Sequence, residues 1–231
     1  MRTRLLPFGL ALWVGCLLAR PALGQTTYAA PAVSLEEVPA PYRDRCRHLL
    51  EKPTYRHVGQ GETFLARAAS YVWLLDNPDK AVALWKQIGA QVAQVDRRGD
   101  HSFGWRDDNG SDLRWDTLVR TGTRRVWYAE GRVKPALLVP GATVRALIVL
   151  HHHLEPGQEA DGRDRIRHQV EFVLQTDSAL LALASRVMGA TAPRLAEQFT
   201  SQVQMFFGGM AWYLDTDPDR AGGLLQRVNG Q

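Results

Sequence analysis

The sequence predicts an α+β fold, an antiparallel sheet of about six strands wrapped on a long C-terminal helix, with two short helices before the sheet. Three observations carry this. Apolar residues recur at helical spacing from residue 62 to residue 88. The period then drops to two, with Leu113, Trp115, Thr117 and Val119 alternating with Arg114, Asp116 and Arg120. After residue 191 helical spacing returns, in a stripe of Leu195, Phe199, Val203, Phe206, Phe207, Met210 and Leu214.

The first helix is predicted over Glu62 to Leu75, with Phe64, Leu65, Ala68, Ala69, Val72 and Leu75 on one side. Asp76-Asn77-Pro78 ends it and opens the second, where Pro78 suits the first helical position and Asn77 can cap. Ala81, Val82, Leu84, Trp85 and Ile88 form the second stripe, and Gly89 stops it. Strands follow near Gln91 to Asp96, near His101 to Asp107, at Leu113 to Arg120 and at Arg124 to Glu130. Asp107-Asp108-Asn109-Gly110, Arg120 to Thr123 and Pro140-Gly141 supply the turns. Two long strands, Thr143 to Leu154 and Arg165 to Gln175, flank a polar loop at 155–164. A short helical segment, Ala179 to Met188, leads into the long helix, opened by Thr191 and Pro193. Gly208-Gly209 in its middle costs roughly 1 kcal/mol per residue against Ala, which implies a close backbone approach there.

Ahead of this body, Arg2 and Arg4, the apolar run Leu5 to Leu18 and the small residues of Ala22-Leu23-Gly24 read as a signal peptide. The run is about 14 residues, short for a hydrocarbon core of about 30 Å. The expected organisation is a signal peptide at 1–24, a Pro-rich arm with a short helix at 25–53, one α+β domain at 54–216, and a C-terminal turn and tail at 217–231. The expected location is periplasmic or extracellular. Val14-Gly15-Cys16 gives a minor alternative, a lipoprotein anchored at Cys16, against which Trp13 and Leu17-Leu18 both argue.

The chain has 28 Lys+Arg against 24 Asp+Glu. All three basic residues of the leader leave with it, so the mature balance is 25 against 24 and does not support a nucleic-acid or polybasic membrane role. No transmembrane segment is expected after leader removal. Cys46 is then the lone cysteine, no intramolecular disulfide is available, and stability rests on a hydrophobic core.

Two short helices, an antiparallel meander and a long amphipathic C-terminal helix follow the order of the START-like (polyketide cyclase/START-like) helix-grip superfamily. The segment Tyr71-Val72-Trp73-Leu74-Leu75-Asp76, with Asn77-Pro78-Asp79-Lys80 and then Leu84-Trp85, resembles that superfamily's opening helix pair. The resemblance spans about residues 58–214 and has no catalytic motif in it. It implies a sheet wrapped on the long helix, with an apolar cavity between them that takes lipids or other hydrophobic molecules. The Ala179 to Gly189 break departs from the pattern, and a cystatin-like or lipoprotein-carrier-like curved sheet is the alternative architecture.

Histidines form the one candidate constellation. Matching apolar faces across the last hairpin sets Ile148 against Phe172, Leu150 against Val170 and His152 against His168. His151 and His153 then point to the other side, as does Glu171. Two imidazoles without a third ligand make no metal site, so no metal and no cofactor are expected. Asp107, Asp108 and Asp112 lack the closing Glu of a calcium loop. No G-x-S-x-G, Walker A, H-E-x-x-H or paired-cysteine motif occurs, which favours a non-enzymatic role with no catalytic residue assigned.

The function expected is an exported, non-enzymatic domain binding a hydrophobic small molecule or lipid between sheet and long helix. Its pocket candidates are His152, His168, Phe172, Trp115, Phe199 and Phe206. The alternative is a structural or partner-binding module of the cell envelope with a filled core.

Overall fold

The computed structural model describes residues 33–107, 110–134, 141–158, 162–177 and 191–230. The leader with Cys16, the first part of the Pro-rich arm, Asp108 and Asn109 of the first turn, and the Ala179 to Met188 segment lie outside the described residues. So does the middle of the 155–164 loop.

Among the described residues, eight strands form one antiparallel sheet. They are β1 (Tyr55–Val58), β2 (Glu62–Ala66), β3 (Gln94–Gly99), β4 (Ser102–Arg106), β5 (Asp112–Arg120), β6 (Arg124–Val133), β7 (Ala142–Gln158) and β8 (Asp164–Thr176). The order is β1-β8-β7-β6-β5-β4-β3, with β2 also paired to β8, so β1 and β2 lie along the same edge. The six expected strands are all present, and β1 and β2 are additional.

β2 replaces the first half of the expected opening helix. Phe64 faces Ile166 and Glu62 faces His168 across the β2–β8 ladder. A short run such as Phe64-Leu65 fits either period, and pairing with the free edge of β8 decides for strand. The helix α2 (Ala68–Asp76) starts only after that. Its first N–H groups are satisfied from afar, since Ala68 N donates to Asp164 Oδ2 at 2.9 Å and Arg67 N donates to Asp215 Oδ2. Neither carboxylate is local, so no capping signal marks this start in the sequence.

α3 (Pro78–Gln87) follows as expected, with Pro78 in its first turn and Gly89 at φ +88° just past its end. Asn77 does not cap; its Nδ2 donates back to the Trp73 carbonyl at 2.8 Å.

The last hairpin has the register derived from the sequence. Ile148 pairs with Phe172, Leu150 with Val170, and His152 with His168. The inner face carries Leu150, Ile166, Val170 and Trp127, and packs on Phe207, Met210 and Leu214 of the C-terminal helix. That helix runs as α4 (Thr191–Gln204), a π-helical segment Met205–Gly209, and α5 (Met210–Thr216). Trp85 Nε1 of α3 donates to the Phe206 carbonyl at 2.9 Å, in the stretch where π winding disturbs the regular ladder.

The close approach expected at the paired glycines is present. A Cβ on Gly208 comes within 2.9 Å of His168 Cε1 and 3.1 Å of Phe64 Cε1. Gly208→Val is therefore expected to lower the urea midpoint by an amount equivalent to about 1–3 kcal/mol, as overpacking does.

Two further features differ from the sequence reading. The first is the outer face of the sheet, which is covered. Val173 is only 1 % exposed, in a second core with Leu147, Val149, Val126, Tyr128, Cys46 and Leu49. The cover is α1 (Ala40–Glu51), which presents Cys46 and Leu49 at helical spacing, aided by Val33 and Val38. Packing thus begins at Val33, ahead of the expected start near residue 54. A sheet this size buries both faces, and the charged remainder of α1 obscured its narrow apolar stripe. Second, the expected C-terminal turn is a full helix, α6 (Pro218–Asn229), capped by Asp217 accepting from Arg220 N at 3.1 Å. Ala221, Leu224 and Val228 carry it into the inner core; Gly222-Gly223 weakens its helical signal in the sequence.

Candidate functional site

The inner face divides into an apolar part and a polar part, and strand pairing fixes both. One cross-strand row runs Trp115–Ala129–Ala146–Leu174–Tyr55 over β5, β6, β7, β8 and β1. Its neighbour on one side is Leu113–Gly131–Val144–Thr176, and on the other Thr117–Trp127–Ile148–Phe172–His57. Small side chains (Ala129, Ala146, Gly131) lie in the middle, and large ones stand at the sides. The sheet surface is therefore a trough bounded by Trp115, Trp127, Phe172 and Tyr55. Trp115, Ala146, Ile148, Leu174 and Tyr55 are all only half-buried, unlike the fully buried Leu150, Ile166 and Val170 further along the same face.

Aromatic contacts shape the rim. Trp115 stacks on Phe103 at 5.5 Å, Trp127 on Phe207 at 5.8 Å, and Phe172 meets Phe199 edge-on at 5.1 Å. The long helix thus reaches the trough through Phe199 and Phe207. Phe206 turns away to stack on Trp85 of α3 at 6.4 Å.

At the other end of the face, His152 and His168 are opposed and nearly fully buried, 4 % and 2 % exposed. His168 Nδ1 shares a hydrogen bond with the Tyr71 hydroxyl at 2.8 Å, and its Nε2 lies 3.9 Å from Glu62 Oε2. Among the described residues neither ring nitrogen of His152 has a hydrogen-bond partner, and the Tyr71 ring sits edge-on to it at 5.5 Å. Burial first, then the Arg125 guanidinium and His168, lower the His152 pKa to about 4. The Gly122 backbone and the Asp76 carboxylate offset part of that shift without supplying a well-formed bond. Burial also lowers His168, with Glu62 acting in the opposite direction. Burial drives the Tyr71 hydroxyl well above its ordinary value, so it stays protonated.

Arg125 is itself buried, held by Asp76 at 2.7 Å and 3.2 Å through Nε and Nη2. Arg120 adds a third bond to Asp76 at 3.1 Å. Sequence reading missed Tyr71 and the Arg125–Asp76 pair. Tyr71 lies in an apolar helical run and Arg125 beside another arginine, so neither residue signals its buried partner locally.

The six candidate residues do not converge on one point. His152 and His168 sit together at the polar end, Phe172 and Phe199 at one side of the trough, Trp115 at the other, and Phe206 outside it. Among the described residues no group of three or more His, Cys, Asp or Glu side chains is arranged to hold a metal ion, and no helix is long and apolar enough to cross a membrane.

No protein-family model matches the chain, and no curated protein does. Solved structures overlap it at low identity. An uncharacterized protein from Rhizobium leguminosarum is 14% identical, over 64% of this chain and 99% of that one, with a TM-score of 0.31. The di-domain ARO/CYC BexL from the BE-7585A biosynthetic pathway is 16% identical with a TM-score of 0.41. That overlap takes in 73% of this chain and 53% of BexL, so the chain spans about half of BexL's length. Ara h 8.0201 is 12% identical over 64% of this chain and 99% of its own, with a TM-score of 0.30. Overlap at this level does not bear on what the chain binds. By its own topology, an antiparallel sheet closed on its inner face by a long C-terminal helix, the chain has a helix-grip α+β fold.

Proposed function

We propose that the chain binds a hydrophobic small molecule or lipid in the trough between the sheet and the C-terminal helix, without transforming it. The observation that carries this reading is the Trp115–Ala129–Ala146–Leu174–Tyr55 row, where small residues sit at the centre of an otherwise aromatic and aliphatic surface. A sheet filled by its own core places large side chains at such central positions. Here large ones stand at the rim, Trp115 and Tyr55 half-buried and Trp127 and Phe172 buried, as in a ligand site lined mostly by apolar and aromatic groups. Export by the N-terminal leader belongs to the same proposal, with the protein acting as an extracytoplasmic carrier or sensor of that ligand.

Ala146→Phe is the test, with a neutral solvatochromic dye, Nile red, as the probe. The wild-type chain is expected to bind the dye with a blue-shifted emission. The variant is expected to lose that binding at least tenfold while keeping its urea midpoint, because the new ring occupies space that the ligand uses. Loss of stability by about 1–3 kcal/mol, with no dye bound by either protein, would mean that the trough is already filled, and would contradict the proposal.

A further inference from the structure

We propose that His152 and His168 form an acid-operated latch on the inner face. While both imidazoles are neutral, α2 and the π-helical segment close over them; once they are charged, that cover opens and the interior is released. That the released interior includes a bound ligand rests on the trough reading above; the latch itself does not.

The geometry leaves no place for an added proton. The two rings stand directly opposite on β7 and β8, where side chains lie about 5 Å apart, so two imidazolium ions there repel each other. Among the described residues the ring nitrogens of His152 are enclosed and make no well-formed hydrogen bond, so a new N–H meets only the poorly aligned Gly122 backbone. Gly208 presses on His168 with no room for a methyl group, so water cannot solvate a cation without displacing the helix.

The charged and titratable groups around His152 compensate it only in small part. From β6 comes Arg125, a second cation, whose charge is already matched by Asp76 at the end of α2. From α2 comes Tyr71, whose hydroxyl is committed to His168. β2 contributes Glu62, which faces His168 at 3.9 Å and favours its charged form only. The C-terminal helix offers Gly208 and Gln204, neither titratable, and Gln204 Nε2 is a donor bound to the carbonyls of Gln60 and His168. His151 and His153, on the same strand, project from the other face.

A histidine with its folded pKa near 4 and an unfolded value near 6.5 favours the folded state fully above about pH 6.5 and progressively less down to about pH 4. From His152 alone, the folding equilibrium constant at about pH 4.5 falls on the order of 50- to 100-fold relative to about pH 7.5.

The test compares urea midpoints of the full chain and its His152→Leu variant at those two pH values, each with Nile red binding measured in parallel. The variant keeps the apolar volume and removes both enclosed nitrogens. The wild type is expected to lose stability and dye on acidification, and the variant to retain most of both. A parallel fall in the two proteins overturns the latch. If no dye binds at about pH 7.5, the trough reading fails, and the urea midpoints alone still decide the latch. Should the variant not fold, the Hε1 resonances of the wild type decide the matter. A buried histidine whose protonation coincides with loss of the native spectrum supports the latch. Titration of both near pH 6.5 with the native spectrum intact overturns it.

Discussion

Asp76→Ala is expected to destabilise the protein by about 3–5 kcal/mol, read as a drop in the urea midpoint with an unchanged slope. The carboxylate holds Arg125 through two bonds at 2.7 Å and 3.2 Å, and Arg125 is only 4 % exposed. Removing Asp76 leaves a buried guanidinium with carbonyl contacts at Thr121 and Arg124 but no counter-charge. A buried cation without a partner costs far more than the intact pair contributes. The Arg120 bond to the same carboxylate, between partly exposed groups, adds little to the total. Replacing Asp76 and Arg125 together by Leu and Met should recover most of the loss, because the penalty belongs to the orphaned charge. A double variant as unstable as the single one would contradict this account of the pair.

Phe172→Ala is expected to cost a similar amount, about 3–5 kcal/mol, through lost transfer energy and the cavity left behind. Phe172 is 8 % exposed and touches the rings of Phe199, Tyr55 and His57, so its removal loosens α4 and β1 together. Val173→Ala, on the opposite face, is expected to cost about 1–2 kcal/mol and not nothing, because α1 covers it. Thermal or urea unfolding of both variants checks the two-faced packing. A negligible effect at Val173 would mean that α1 does not pack on the outer face.

The central sheet was legible because its strands carry the information locally. Alternation from Leu113 to Arg120 and the facing apolar sets of β7 and β8 were enough to place His152 against His168, and Ile148 against Phe172. The paired glycines marked the helix's tight approach for the same reason, since only a missing side chain permits it. What stayed hidden depends on distant partners. β2 is a strand because β8 has an edge to share, and α2 starts where Asp164 and Asp215 reach its N–H groups. α1 reads as polar until the outer face of the sheet is there to receive Cys46 and Leu49.

The candidate site was legible as residue types and less so as an arrangement. The histidine pair and the trough-side residues Trp115, Phe172 and Phe199 were named from the chain. The small residues Ala129, Gly131 and Ala146 were not. A missing side chain signals a cavity only once the strands have been aligned and its neighbours across the sheet are known. Tyr71, the bond partner of His168, was likewise hidden in an apolar helix pattern.

The measurement that bears most directly on a ligand between sheet and helix is native mass spectrometry of the purified full chain, paired with organic extraction of the same sample. The account predicts a stoichiometric adduct of one apolar small molecule, recovered in the extract and absent from the Ala146→Phe variant. A bare protein mass, with no uptake when neutral lipids and aromatic probes are offered in excess, would contradict it.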